Sequence, residues 1–314
     1  MTQVSPPIRM SEAQIAQRLG AVAQGFRQQM RSPILRTPAE VALDYDDLTF
    51  QSEDGVPLEA WFIPCAGSDK LIIVNHPRWF NRYGCPAHLE PWKSLGSMAG
   101  NDFEVNFIPD FRILHDAGYN VLTYDLRNFG HSGTGNGGMS SGGRFESRDV
   151  IGSLAFARKE LGDMKIALFS RCLGLNATYF AYERRPDLFD GVRCLVGVQP
   201  ISVRIIMERT FELTGFPMDR FEDVDREAKL ATSFSLDDMS PVDAAKAMML
   251  PTFLYQVRND LMTRPSDVQT IFDNMPASEK ELFWIDGTTR RWDGYTFFAR
   301  QPDRMLGWFE RHMN

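Results

Sequence analysis

Apolar residues recur at helical spacing at Ile15, Leu19, Val22, Phe26 and Met30, which predicts an amphipathic helix over residues 11–31. Ser11 with Gln14 is a capping-box signature for its start, and Ser32-Pro33 ends it. From about Val41 the period shortens to two. Leu48 to Ser52 and Leu58 to Ile63 alternate on either side of Asp54-Gly55, a strong hairpin signal. Short apolar runs without alternation follow at 71–74, 120–124, 165–169, 194–198, 253–257 and 282–285, the pattern of strands buried on both faces. Helical stretches such as 147–161 and 175–185 separate most of them. The prediction is an α/β fold with an eight-stranded, mostly parallel sheet entered through an antiparallel hairpin.

Two connections are longer than a crossover needs. Residues 77–118 combine a helix near 107–117 with an irregular, aromatic-rich insert, and residues 201–249 hold two or three amphipathic helices. The second reads as a lid over the carboxyl edge of the sheet, where open α/β folds bind ligands. The predicted organisation is an N-terminal helical extension (1–40), a core (41–200 and 250–314) and a helical lid insertion (201–249). Seven glycines in residues 130–143 predict a flexible loop within the core.

Composition narrows the class. Of 314 residues, 43% are hydrophobic and 24% charged, values of an ordinary folded domain that exclude disordered, collagen-like and coiled-coil chains. Lys and Arg total 34 against 41 Asp and Glu, a net charge of −7, which argues against nucleic acid as partner. Residues 1–40 alone carry five arginines and two glutamates. That excess would suit an acidic partner, but a helix docked by its apolar stripe on the main domain is the favoured reading. No apolar run is long enough to span a membrane and the N-terminus lacks a signal-peptide core, so a cytoplasmic protein without a membrane partner is expected. Cys65, Cys85, Cys172 and Cys194 are too sparse for a disulfide scaffold and lack zinc-site spacing. They are expected to be thiols, with no metal or cofactor.

The chemistry centres on Ser170-Arg171-Cys172-Leu173-Gly174, directly after the fifth predicted strand. A strand turning sharply into a helix holds its apex side chain over the sheet edge, and here the apex is Cys172. From about residue 45 to 312 the chain resembles the α/β-hydrolase superfamily. His76-Pro77 follows the third strand, Asp125-Leu-Arg-Asn-Phe-Gly-His-Ser132 the fourth, the elbow the fifth, and Asn259-Asp260 the seventh. The family elbow is G-x-S-x-G, so Ser170 and Cys172 are departures, and the cysteine apex resembles the dienelactone-hydrolase branch, in which Cys, His and Asp open a lactone.

The resemblance implies roles residue by residue. Cys172 would be the nucleophile; thiolates are favoured at helix N-termini and beside arginines, and Arg171 is a candidate for the second. The backbone amides of Leu173 and Arg78 would form the oxyanion hole. Asp260 would be the carboxylate that orients histidine, with Asp267 a weaker candidate, and His76 would brace its loop. The histidine itself is missing: Gly287-Thr-Thr-Arg290-Arg291 carries Arg290 where the base should stand, and an arginine takes up no proton. A substitute must come from His76, His88, His115, His131 or His312. His131 is nearest by topology and His88 next. Arg78, Arg171, Arg290 and Arg291 could instead converge to bind a carboxylate or phosphate.

The leading expectation is an enzyme that cleaves or transfers an acyl group of a small ester, thioester or lactone through Cys172. A catalytically retired member that binds a small molecule or a protein, and a lyase or cyclase using the same pocket, stay open. The lid's Phe and Met content implies a small-molecule substrate with an apolar portion, to which the arginines would add an anionic group. A homo-oligomer is compatible with the sequence.

Overall fold

A computed structural model describes residues 10–314. Eight strands form one sheet: β1 (Asp46–Gln51), β2 (Pro57–Ile63), β3 (Lys70–Asn75), β4 (Asn120–Tyr124), β5 (Lys165–Arg171), β6 (Val192–Val198), β7 (Thr252–Val257) and β8 (Lys280–Ile285). Their spatial order is β1-β2-β4-β3-β5-β6-β7-β8. The β1–β2 hairpin and the β2–β4 pair are antiparallel, and every other pairing is parallel. This is the sheet that the hydrophobic pattern predicts.

The helices are α1 (Glu12–Arg27), α2 (Trp92–Ser97), α3 (Ile108–Asp116), α4 (Ser147–Glu160), α5 (Leu173–Arg184), α6 (Val203–Leu213), α7 (Phe221–Thr232), α8 (Pro265–Asn274), α9 (Trp292–Tyr295), α10 (Phe297–Arg300) and α11 (Asp303–Met313). They cover both faces of the sheet, which explains why the central strands show no alternation. Leu71 and Ile73 of β3 enter one core with Val150, Leu154 and Leu175, while Ile72 and Val74 enter the other with Phe111, Trp308 and Phe309. Each such side chain, fully buried, contributes about 1.5–3 kcal/mol.

Three expectations need revision. α1 forms its capping box, with the Ser11 amide donating to Gln14 Oε1 at 2.8 Å, but stops at Arg27 because Gln28 is already extended. Its apolar stripe packs on Phe211, Phe221, Val224 and Ala228 of the 201–249 insertion, not directly on the sheet. The glycine-rich stretch is also no loose loop. Gly130 (φ +45°) lies so close to Asp125 that a Cβ would fall 2.1 Å from its carboxylate, and that carboxylate accepts from the amides of Arg82 and His131 at 2.7 and 2.8 Å. Lastly, the insert 77–118 contains a two-stranded ribbon, Gly84–Cys85 with Val105–Asn106, too short to leave a period in the sequence.

At the carboxyl end of the sheet, α5 runs tightly against β3. A Cβ on Gly174 would lie 2.6 Å from the Asn75 Cβ and 2.8 Å from its carbonyl carbon. Gly174→Ala is therefore expected to destabilise the protein by about 1–3 kcal/mol in urea titration. Gly20→Ala, in α1 with nothing near its Cβ, should stabilise it by about 0.5–1 kcal/mol.

Candidate active site

β5 ends at Arg171 and α5 starts at Leu173, so Cys172 alone makes the turn, with φ +48° and ψ −108°. Such a backbone costs on the order of 1–3 kcal/mol for an L-residue and persists only where its surroundings over-determine it. Here the Cys172 amide donates to Val198 O at 2.8 Å, Asn176 N donates to Cys172 O at 2.9 Å, and Gly174 N donates to His76 O at 3.2 Å. Ser170, where the family has glycine, is accommodated because its hydroxyl accepts from Asn75 Nδ2 at 2.8 Å and pairs with Thr178 Oγ1 at 2.9 Å.

The Cys172 side chain opens on a cavity of about 130 Å³. Phe26 of α1 and Val203, Ile206 and Met207 of α6 are on its wall, with Trp292 and Tyr295 of α9. The amides of Leu173 and Arg78 donate to no protein acceptor among the described residues, which leaves both free. The Arg78 side chain turns to α1, where Nε donates to Gln29 Oε1 at 2.9 Å and Nη2 to Gly25 O at 2.7 Å. Burial draws its guanidinium down to about 10, so it remains a cation at neutral pH.

Asp260 follows β7, as expected, but its partner is an arginine. Its Oδ2 accepts from Arg291 Nη1 at 2.7 Å and from Thr263 Oγ1 at 3.0 Å, and its Oδ1 accepts from the Met262 amide at 2.9 Å. Arg291 is buried, with Nε donating to Tyr295 Oη at 2.9 Å and Nη2 to the Gln199 carbonyl. Gln199 also clasps the Arg291 carbonyl with Nε2 and accepts from Val257 N through Oε1 at 3.1 Å. Burial opposes the Arg291 charge, but Tyr295, Cys172 and Asp260 more than offset it, and the guanidinium is held well above its ordinary value. The Tyr295 hydroxyl stands beside the Cys172 sulfur; burial, and then the sulfur, hold its phenol proton well above its ordinary value against the pull of Arg291.

Several expected positions are corrected. Arg290 is not the residue in the histidine's place: its Nε and Nη2 donate to Asp293 at 3.0 and 2.9 Å, half-exposed and away from the cavity, and the next residue turns inward. Arg171 points beneath the sheet edge, stacked on Phe169 and Phe107 with its Nη2 donating to Asp110 at 2.5 Å, so it reaches no substrate in the cavity. His131 and His88 are exposed, and none of the five histidines lines the cavity. His131 is thus no base for Cys172; its loop is turned outward by the bond from its amide to Asp125. Asp267 accepts from the Ser202 amide and hydroxyl at 2.9 and 2.5 Å and anchors the start of α6.

No family model matches the chain. An uncharacterized membrane protein of Saccharomyces cerevisiae is 26% identical over 267 residues, covering 84% of this chain and 82% of that one. Among solved structures, the Pyrococcus furiosus esterase Pf2001 has a TM-score of 0.68 at 20% identity, covering 91% of this chain and 98% of its own. The α/β hydrolase GrgF from Penicillium has a TM-score of 0.58 at 18% identity, covering 86% and 99%. The chain has the α/β-hydrolase fold. A dienelactone hydrolase from Anabaena variabilis shares it, with a TM-score of 0.53 at 14% identity over 87% of this chain and 99% of that one. No helix among the described residues is long and apolar enough to cross a membrane.

Within this α/β-hydrolase frame, Tyr295, Gln199 and Asn176 are site residues that the sequence did not single out. Asn176 Nδ2 donates to Ile201 O at 2.7 Å and to Gly142 O at 3.2 Å, tying the first turn of the elbow helix to the root of the insertion. Their local sequence carries no motif; only a packed sheet edge brings them together.

His76 is fully occupied. Its Nε2 accepts from the Leu126 amide at 2.9 Å, so Nδ1 carries the proton donated to Pro77 O at 2.6 Å. Burial lowers it from 6.5 to about 4. The stability it contributes is complete above pH 6.5 and is lost as pH falls toward 4, by about 1.4 kcal/mol per unit. The free energy of unfolding of His76→Asn should be lower than wild type at neutral pH, with the difference shrinking between pH 6.5 and 4 in denaturant titrations. A constant difference across that range would contradict the assignment.

Proposed function

We propose that the protein is an α/β-hydrolase-type enzyme in which Cys172 takes up the acyl group of a small ester, thioester or lactone. One observation carries the reading: a sulfur at a positive-φ apex opens on an apolar cavity, with two free amides nearby. In the reaction the sulfur attacks the acyl carbon and the carbonyl electrons move onto oxygen, where the amides of Leu173 and Arg78 receive the charge. The fold's occurrence in an esterase and a dienelactone hydrolase supports acyl chemistry. Phe80, Ile206, Met207, Met262 and Trp292 would receive the apolar part of the substrate, beneath α6 acting as a lid. Arg291 is neutralised by Asp260, so an anionic group is not required of the substrate.

The absence of histidine from the cavity wall favours one competing reading, a binder that has lost catalysis. Incubation with p-nitrophenyl hexanoate and intact-mass measurement separates the two. A single acyl adduct is expected, absent in Cys172→Ala. Cys85 and Cys194 should stay unmodified, since burial pushes both thiols up, Cys194 to about 12. No adduct on Cys172, with thermal stabilisation by intact ester, would establish the binder instead.

A further inference from the structure

Resting on acyl capture by Cys172, we infer that this protein moves acyl groups between thiols, taking them from thioesters and passing them to a thiol acceptor, with water a poor acceptor in its site. The surroundings of the sulfur lead there. Among the side chains lining the cavity there is no Asp, Glu, His or Lys. The groups on the wall that interact electrostatically with the sulfur are the guanidinium of Arg291, the hydroxyl of Tyr295 and the guanidinium of Arg78. Two carboxylates stand behind them and both are occupied, Asp260 by Arg291, Thr263 and the Met262 amide, and Glu146 by the hydroxyls of Ser140 and Ser141 and the amides of Ser141 and Gly143. Tyr295 holds its proton tightly, and Arg291 keeps its own. None of the side chains around Cys172 on the cavity wall gives or takes a proton near neutral pH.

This selects among acyl donors. An alkyl ester must expel an alkoxide about as basic as hydroxide, the conjugate base of a group with pKa near 15.7, and needs a general acid to do so. A thioester expels a thiolate whose conjugate acid has a pKa of about 8.5, and needs none. The same asymmetry selects the acceptor. Water must lose a proton as it attacks, whereas a thiol arrives already ionised in a fraction of a few per cent at pH 7.

Each half-reaction then balances without a protein base. The Cys172 sulfur forms a bond to the acyl carbon, and the donor's C–S bond breaks with its electron pair leaving on the donor sulfur. The proton given up by Cys172 to solvent equals the one that the departing thiolate takes up. In the second half the acceptor thiolate attacks, and the Cys172–carbon bond breaks with its pair returning to Cys172 beside Arg291 and Tyr295. No oxidant, reductant or water is consumed.

The test uses the full chain with two hexanoyl donors, the thioester of N-acetylcysteamine and ethyl hexanoate, and follows acyl-Cys172 by intact mass. Loaded protein is then desalted and given N-acetylcysteamine or buffer alone. Every rate is compared with the same reaction on N-acetylcysteine methyl ester, which removes the intrinsic reactivity of sulfur. The protein is expected to accelerate loading from the thioester and unloading to the thiol by at least about 100-fold, and to accelerate loading from ethyl hexanoate and unloading to water by less than about 10-fold. Comparable acceleration with ethyl hexanoate or water, or no acceleration with the thiol, would overturn the inference while leaving acyl capture in place. Failure of Cys172 to be loaded by either the thioester or p-nitrophenyl hexanoate would overturn the underlying reading itself.

Discussion

The ion pair between Asp260 and Arg291 constrains everything around the cavity. Both side chains are buried, Asp260 wholly and Arg291 to within 4% of its surface, so each has lost its water and depends on the other. Removing one partner from such a pair typically costs roughly 3–5 kcal/mol, because the remaining charge is stranded. The pair alone does not satisfy a guanidinium, and the remaining donors are met by the Gln199 carbonyl and the Tyr295 hydroxyl. Those two needs fix α9 against the end of β6: a Cβ on Gly294 would collide with the Gln199 amide at 2.2 Å. Gln199 itself takes a positive φ of 54° to meet the arginine. The charge that stands beside Cys172 is therefore permanent. A histidine there would titrate; this arginine does not.

The elbow imposes a second constraint, steric where the first is electrostatic. Holding Cys172 at φ +48° requires that the strands on either side leave room for the turn. Gly174 clears Asn75, and Gly197 of β6 clears Leu254 and Leu175, each of which would lie within 3 Å of an added Cβ. The two constraints meet at β6. Its carbonyl at Val198 accepts the Cys172 amide, and its next residue is Gln199, which clasps Arg291. The Cys172 sulfur and the cation are thus registered by one strand, and their relation does not rest on mobile loops.

The architecture was legible because both of its signals are local. Period-two alternation marks β1 and β2, and continuous apolar runs mark strands whose alternate residues face two cores. Cys172 and Asp260 were legible for a related reason, since each directly follows a strand and topology alone sets its place. Of the two arginines expected near the pocket, Arg291 reaches it and Arg290, read from the sequence as standing where the base should be, does not. Choosing between Arg290 and Arg291 depends on Asp293, whose carboxylate captures Arg290 on the outside, and on Gln199, some ninety positions earlier, which receives Arg291 on the inside. His131 failed as a base for a like reason: proximity along the sheet edge was readable, whereas the bond from its amide to Asp125 that turns the loop outward was not. Tyr295 and Asn176 sit in stretches with no motif, and only tertiary packing gives them a role.

The N-terminal helix belongs to the site as much as to the insertion it packs on. Arg78, which lines the cavity, sends its side chain to Gly25 and Gln29 at the end of α1, and its guanidinium lies over Phe26 and Trp79 with 5.5 and 5.1 Å to the ring centroids. Phe26 in turn lines the cavity beside α6. One residue therefore joins the loop after β3 to the roof, so the position of an amide that would receive an oxyanion is set partly from outside the sheet. Arginine suits this use. Its planar cation can stack and donate in two directions at once while remaining charged. Two arginines of residues 1–40 follow the same logic: Arg31 donates to the carbonyls of Phe129, Gly130 and Ser132, and Arg36 to Glu104, so both are engaged within this chain.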